Sequence, residues 1–402
     1  MMMCRCGGIG RRSRLKICRV HARAGSSPAS GSKASRDFRV DSFEAFCIYG
    51  LERGMCMDRA DFSIYSITEP PFKIYGLAVA NSEKREFHRL TDDIMEKMPQ
   101  YQFLGRRAVG GRVRFITDSM EIYICMTLAG AKEDINIPLS GSAGADGYVG
   151  IGKEAKYLGY IAPSIHTNQE ITIEKIWKKN EEGLSVITIN LPRNEHLLGM
   201  EVGVCKGSMI KEAPDYAIEK PILFYGSSIT EGGCASRVGN AYTSMVCRWL
   251  DANYYNFGFS GSARGETEFA EYIADFPEKS LFVYDYDHNS PSVEHLLHTH
   301  RLFFQIIRKK NPFLPVLMIS RPDSDKAGAK ERVAVIQKTY EEAKKAGDKM
   351  VWFLDGREFF GELGRTECTV DGTHPNVLGF MRMAEKIYPV IRDILYDAGG
   401  NG

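Results

Sequence analysis

The sequence predicts an α/β protein in two parts. An antiparallel β-sandwich of jelly-roll type is expected over residues 55–210, followed by a three-layer domain built on a mostly parallel five-stranded sheet over 211–402. Three observations carry this. Short β-branched or aromatic segments crowd the stretch 72–210, punctuated by Gly, Asn, Asp and Pro. From residue 221 onward, near-continuous apolar runs alternate with helical stretches, as strands buried on both faces and their crossover helices do. The length of 402 residues allows two or three domains at roughly 150 residues each.

In the first part the expected strands are FKIYGLAVA (72–80), GRVRFITDS (111–119), MEIYICMTL (120–128), GYVGIG (147–152), ITIEKIWKK (171–179) and LSVITINLP (184–192). In 120–128, Glu121, Tyr123 and Cys125 against Ile122, Ile124 and Met126 give only a loose period of two. SGSAGADG (140–147) reads as a glycine-rich turn between strands. No helix follows it, so it is conformational and not a phosphate cradle. The pattern changes between 205 and 220.

The second part offers five apolar runs: PILFY (221–225), YYNF (254–257), LFVYDY (281–286), PVLMIS (315–320) and VWFLD (351–355). Helices are expected near 240–250, 266–275, 292–310, 327–346 and 377–393. The third repeats Leu296, Phe303, Ile306 and Ile307 on one face and ends in basic residues. In such sheets chemistry gathers at the carboxyl ends of strands, where loops converge and helix N-termini present N–H groups.

Composition excludes several functions. Residues 1–35 carry eight basic residues and no acidic one; of the 52 Lys and Arg, 44 therefore remain against 51 acidic side chains. A body of that sign does not attract phosphate backbones, so no nucleic-acid partner is expected outside this tail. No apolar run reaches membrane-spanning length, and no membrane partner is expected. Residues 1–54 read as a disordered basic tail. GGIGRRSRLKICRVHARAGSSPASG resembles the conceptual translation of a transfer-RNA gene, which points to a non-native start and to translation from Met55 or Met57. Arg-rich nucleic-acid arms and targeting peptides share this composition. Cytoplasm is the default location, with secretion or the periplasm open if the start is misassigned. Three of ten cysteines (Cys4, Cys6, Cys18) lie within residues 1–35; the other seven are scattered without a CxxC pair and read as reduced, mostly buried thiols.

Four polar stretches follow strands or precede the last helix. YGSSITEGG (225–233) places Ser228 at a strand-to-helix turn, without the GxSxG elbow of α/β-hydrolases. NFGFSGSARGE (256–266) holds Gly261, which lets backbone approach a ligand. YDYDHNSP (284–291) offers the Asn289 amide to a developing oxyanion. VDGTHPN (370–376) sets Asp371 three residues before His374, so that the carboxylate can fix the tautomer of a basic imidazole. Each stretch alone is an ordinary turn or cap.

In this joint order they resemble the SGNH, or GDSL-like, hydrolase superfamily over residues 221–393. GSSIT stands for its GDSxT stretch, Asn256 to Gly261 for NxGxSG, DHNS for GxND, and Asp371 with His374 for DxxH. The resemblance implies a flavodoxin-like catalytic domain, a Ser228–His374–Asp371 triad, and an oxyanion hole of the Ser228 and Gly261 N–H groups with the Asn289 amide. Two positions depart from the usual pattern: Ser227 replaces the aspartate before the nucleophile, and GxND has become Asp287-His288-Asn289-Ser290. Both are features of the branch of GDSL-like esterases with an N-terminal β domain, whose GxDxY turn is matched by Gly144, Asp146 and Tyr148. That branch implies short-chain, acetyl-type esters of a carbohydrate or other polar alcohol, by analogy alone.

Arg237, Tyr242, Asp287 and His288 are candidate substrate contacts, with loop anchoring and core packing as equal alternatives for Arg237 and Tyr242. Tyr148, Tyr157, Tyr160 and Trp177 are candidates for a saccharide subsite, with core packing the stronger expectation. No cofactor or metal is expected. His295, His298 and His300 with Asp287 lack a second carboxylate at ligand spacing, and no GxGxxG follows the first strand of the parallel sheet. The competing readings are a non-catalytic carbohydrate-binding protein with a degraded hydrolase domain, and a short-chain lipase or acyl-thioesterase. Oligomeric state is open.

Overall fold

The computed structural model describes residues 58–322 and 325–399. The expectations for the 1–54 tail, and for Met55 and Met57 as starts, lie outside these residues. The described residues fall in one compact unit.

The first half runs through β1 (Phe62–Ser66), β2 (Lys73–Tyr75), β3 (Val79–Asn81), β4 (Glu86–His88), the helical turns α1 (Asp92–Lys97) and α2 (Gln102–Gly105), β5 (Arg112–Thr117), β6 (Glu121–Leu128), α3 (Leu139–Ser142), β7 (Ala145–Val149), β8 (Lys156–Ile161), β9 (Ile171–Lys178), β10 (Ser185–Asn190), β11 (Leu197–Cys205) and β12 (Ile210–Lys211). Two larger antiparallel sheets and a two-stranded β3-β4 pair result. One larger sheet has the order β1-β11-β6-β9; the other is β12-β5-β10-β7-β8, with β2 also on β5. Their inner faces share a core of Val113, Phe115, Ile122, Ile124, Met126, Ile187 and Val202. The loose alternation in β6 has a physical cause. Its outward side chains Tyr123 and Cys125 are also buried, under Phe62, so neither face is polar.

Trp177 belongs to this core and lies over Gly159, where a Cβ would come within 2.7 Å of the indole. Tyr148 is also buried, while Tyr157 and Tyr160 are exposed. The expected turn at 140–147 is instead the short helix α3 running into β7. FKIYGLAVA is two strands, broken where Gly76 adopts a φ of 75°.

The second half contains β13 (Ile218–Gly226), α4 (Ser228–Glu231), α5 (Tyr242–Leu250), β14 (Ala252–Gly258), α6 (Thr267–Asp275), β15 (Leu281–Asp285), α7 (Val293–Lys310), β16 (Val316–Ile319), α8 (Ala329–Lys345), β17 (Val351–Leu354) and α9 (Val377–Gly399). All five strands are parallel, in the flavodoxin-like order β14-β13-β15-β16-β17. α6, α7 and α8 cover one face, and α5 and α9 the other. No helix among the described residues is long and apolar enough to cross a membrane.

Packing crosses the change of sheet type. Leu90, Ile94, Met95, Tyr101 and Leu104 from the first half join the core around α6 and α7, and the Tyr101 ring lies 4.2 Å from that of Phe259. The α1–α2 segment thus completes a face of the parallel sheet that its own helices leave open.

Candidate active site

The register of the parallel sheet sets the site. Gly226 at the end of β13 pairs with Gly258 of β14 on one side and Asp285 of β15 on the other, so three strand ends stop at one level. The Gly226 and Gly258 positions have no room for a Cβ: it would run into Thr230 and Asp285 at the first, and into the Glu231 backbone at the second. The turn α4 therefore sits directly on the sheet edge. The Ser227 hydroxyl accepts from the Ile229 N–H at 3.2 Å and caps the turn. This is what the residue in place of the expected aspartate does. Ser228 is the first residue of the turn, where the N–H has no intrahelical acceptor.

Ser228 Oγ lies 2.8 Å from His374 Nε2, and His374 Nδ1 lies 2.7 Å from Asp371 Oδ2. The other carboxylate oxygen of Asp371 accepts from the backbone N–H groups of His374 and Thr373, at 2.8 and 3.0 Å. Partial burial pushes the Asp371 carboxyl up. The backbone and imidazole hydrogen bonds outweigh that push and hold it below the ordinary aspartate value. The loop is pinned by the Val370 N–H donating to His374 O at 2.9 Å and by Asn376 Oδ1, which caps α9 by accepting from Gly379 N–H at 3.1 Å.

Gly261 adopts a φ of 69°, and no atom lies within 4 Å of where its Cβ would stand, so this backbone faces open space. Asn289 Nδ2 donates to Phe259 O at 2.9 Å, which ties the β15 loop to the β14 loop. Ser228, Gly261, Asn289 and His374 line one cavity of about 580 Å³; Asp371 stands behind the imidazole.

Of the four candidate substrate contacts, only His288 lines this cavity. Arg237 is a correction. Its guanidinium packs on the Tyr157 ring at 3.9 Å, lies 3.6 Å from the buried Asp146 carboxylate and donates to Asn240 at 3.2 Å. Asp146 in turn accepts from the Gly239 N–H at 3.1 Å and from Asn190 at 2.9 Å. The GxDxY turn thus clamps the β half onto the 236–241 loop. Tyr242 is a second correction: it is wholly buried, with its hydroxyl 2.9 Å from Asp285. Asp287 is a third, also wholly buried, with its carboxylate taking the Arg321 N–H and its carbonyl taking Arg332. The turn after β15 buries Asp287 and Ser290 and leaves His288 and Asn289 partly exposed. The three histidines of α7 take separate partners: Ser290 for His295, the Glu294 carbonyl for His298 and Thr339 for His300.

Sequence reasoning missed what the first half contributes. Leu104, Arg107, Asn136, Ile137, Arg193 and Asn194 complete the cavity wall, and Asn136 Nδ2 donates to Asp371 Oδ2 at 3.3 Å. It also missed Arg89, fully buried between the halves. Arg89 donates to the carbonyls of Leu104, Asn256 and Gly258 and to Glu231 Oε1 at 3.1 Å. The second oxygen of Glu231 takes the Ser260 N–H at 3.0 Å, so the pair fixes the Gly261 loop against the Ser228 turn. An isolated Arg in a β-rich segment carries no motif to signal this.

Two family models match: the GDSL-like lipase/acylhydrolase family over residues 219–392, and the N-terminus of SGNH-hydrolase-type esterases over residues 63–210. No curated protein sequence matches the chain. Among solved structures, it is similar to a GDSL-like lipase from Bacteroides ovatus at 27% identity and a TM-score of 0.73, over 83% of this chain and 98% of that one. A family two carbohydrate esterase from Clostridium thermocellum, in complex with cellohexaose, shares the fold at 15% identity and a TM-score of 0.52, over 71% and 93%. An acetyl xylan esterase from Butyrivibrio proteoclasticus does so at 14% and 0.53, over 83% and 98%. Residues 219–392 thus carry a GDSL-like (SGNH) hydrolase domain, preceded over 63–210 by the N-terminal domain of SGNH-hydrolase-type esterases.

Proposed function

We propose that this hydrolase is a serine esterase that cleaves short-chain esters, acetyl above all, of a carbohydrate or another polar alcohol. The observation that carries this is the Ser228–His374–Asp371 chain of hydrogen bonds at the wall of a cavity also lined by Gly261 and Asn289. His374 takes the Ser228 proton through Nε2 as Oγ attacks the ester carbonyl, and Asp371 stabilises the imidazolium that results. The tetrahedral oxyanion is met by the N–H groups of Ser228 and Gly261 and by the Asn289 amide, once that amide exchanges its bond to Phe259 O for the substrate. The imidazolium protonates the leaving alcohol. Water, deprotonated by His374, then attacks the acyl-enzyme and releases the acid.

Arg107, Asn136, Arg193, Asn194 and His288 give the cavity a polar wall, which favours a polar alcohol over a lipid. Release of acetate from acetylated xylooligosaccharides and from p-nitrophenyl acetate, compared between wild type and S228A, tests the reading. Activity retained by S228A removes the mechanism, and preference for an octanoyl over an acetyl ester overturns the substrate class.

A further inference from the structure

Arg193 stands on the loop between β10 and β11, where the neighbouring Asn194 N–H donates to Ser142 O at 2.7 Å. It is 2% exposed, yet its Nε and Nη2 have no hydrogen-bond partner among the described residues. Burial pushes this guanidinium down to about 10. The carboxylate that acts on it most through space, Glu231, is already engaged by Arg89 and Ser260. Arg107, beside it on the same wall, has a buried Nε that likewise lacks a hydrogen-bond partner, and its Cζ stands 4.4 Å over the Phe103 ring. Asp134 reaches the cavity from an exposed position on its rim.

A buried guanidinium without hydrogen bonds is costly, and folded proteins almost never leave one so. Both arginines border the cavity that holds Ser228 and His374. The side chain of Arg193 runs along the end of the nucleophile turn, its Cδ 3.7 Å from where a Gly232 Cβ would be. A planar fork of N–H donors matches a carboxylate, which supplies two acceptor oxygens and a compensating charge.

We propose that Arg193, supported by Arg107, binds a carboxylate of the substrate, so that the preferred ester is an acidic one. The inference rests on the esterase reading and narrows it. The carboxylate belongs either to the alcohol, as in an acetylated uronic acid, or to the acyl group, as in a hemisuccinate.

The test compares kcat/KM for acetylated galacturonate with that for acetylated galactose, and for p-nitrophenyl hemisuccinate with that for p-nitrophenyl butyrate. In the full-length wild type, one acidic ester of the two should exceed its neutral counterpart by about 10- to 100-fold. R193Q should erase that ratio and R107Q should reduce it. R193Q should melt no lower than wild type, because no protein partner is lost. Equal rates on acidic and neutral esters, or a ratio unchanged in R193Q, would overturn the proposal. Binding separates it from the esterase reading. D-galacturonate or succinate should raise the melting temperature of S228A, whereas galactose should not, and the rise should vanish in S228A/R193Q. If S228A still cleaves esters but the acid-dependent rise follows Arg193, the mechanism fails and this inference stands.

Discussion

In the parallel-sheet half, Ser228, Gly261 and Asn289 stand two, three and four residues past the ends of β13, β14 and β15. In the antiparallel half, Leu104, Asn136 and Arg193 come from a helical turn and two loops with no common relation to any strand end. A parallel sheet sends every strand out at the same edge, so its chemistry is gathered by topology. A sandwich has no such edge, and its contributions depend on how it docks. On the proposed reading, bond-breaking belongs to one half, and wall, bracing and charge recognition to the other.

The largest expected effect tests the first assignment. S228A and H374A should each lower kcat/KM on p-nitrophenyl acetate by at least about 10³-fold, since nucleophile and base act as a unit. N289A should cost about 100- to 1,000-fold in kcat, as loss of one oxyanion donor does, with little change in KM; a smaller loss would take Asn289 out of the hole.

The next effects probe the β half. R89M leaves Glu231 buried and uncompensated, and should destabilise the fold by about 3–5 kcal/mol in urea unfolding. An unchanged midpoint would mean that the halves are braced elsewhere. N136A removes one partly exposed bond to Asp371 and should lower kcat by less than about tenfold, with KM nearly fixed. A loss as large as that of H374A would break the division between the halves.

The smallest effect concerns Asp285, buried below the Ser228 turn against Thr230 and Tyr242. Burial, helped by Asp287, pushes its carboxyl up to about 7 against the bonds from Thr230 and Tyr242. The folded state therefore holds this proton more tightly than the unfolded state. Its contribution to stability is complete below about pH 4 and is lost as pH rises toward and through 7. Between pH 6 and 8 the loss should be about 1 kcal/mol, and D285N should flatten that slope in chemical denaturation.

The sequence by itself determined the five parallel strands, their helices and the Ser228, Gly261, Asn289 and Asp371–His374 stretches, because buried parallel strands write continuous apolar runs and the polar residues beyond them stand out. It also marked most of the sandwich strands, but not β1, β8, β11 or β12, nor β4 of the small β3-β4 pair. β11 is interrupted by Gly199 and Gly203, and the alternation in β8 is weak. Only the tertiary structure decided which polar side chains face the cavity. Arg237, Tyr242 and Asp287 lie in or beside the motifs yet turn into interfaces and core, while Arg89, Arg107, Asn136 and Arg193 lie in no motif and reach the site or its supports. The physical reason is range. Hydrophobic period and turn chemistry act over a few residues, whereas Asn136 meets Asp371, 235 positions away, only after two separate sheets have packed together.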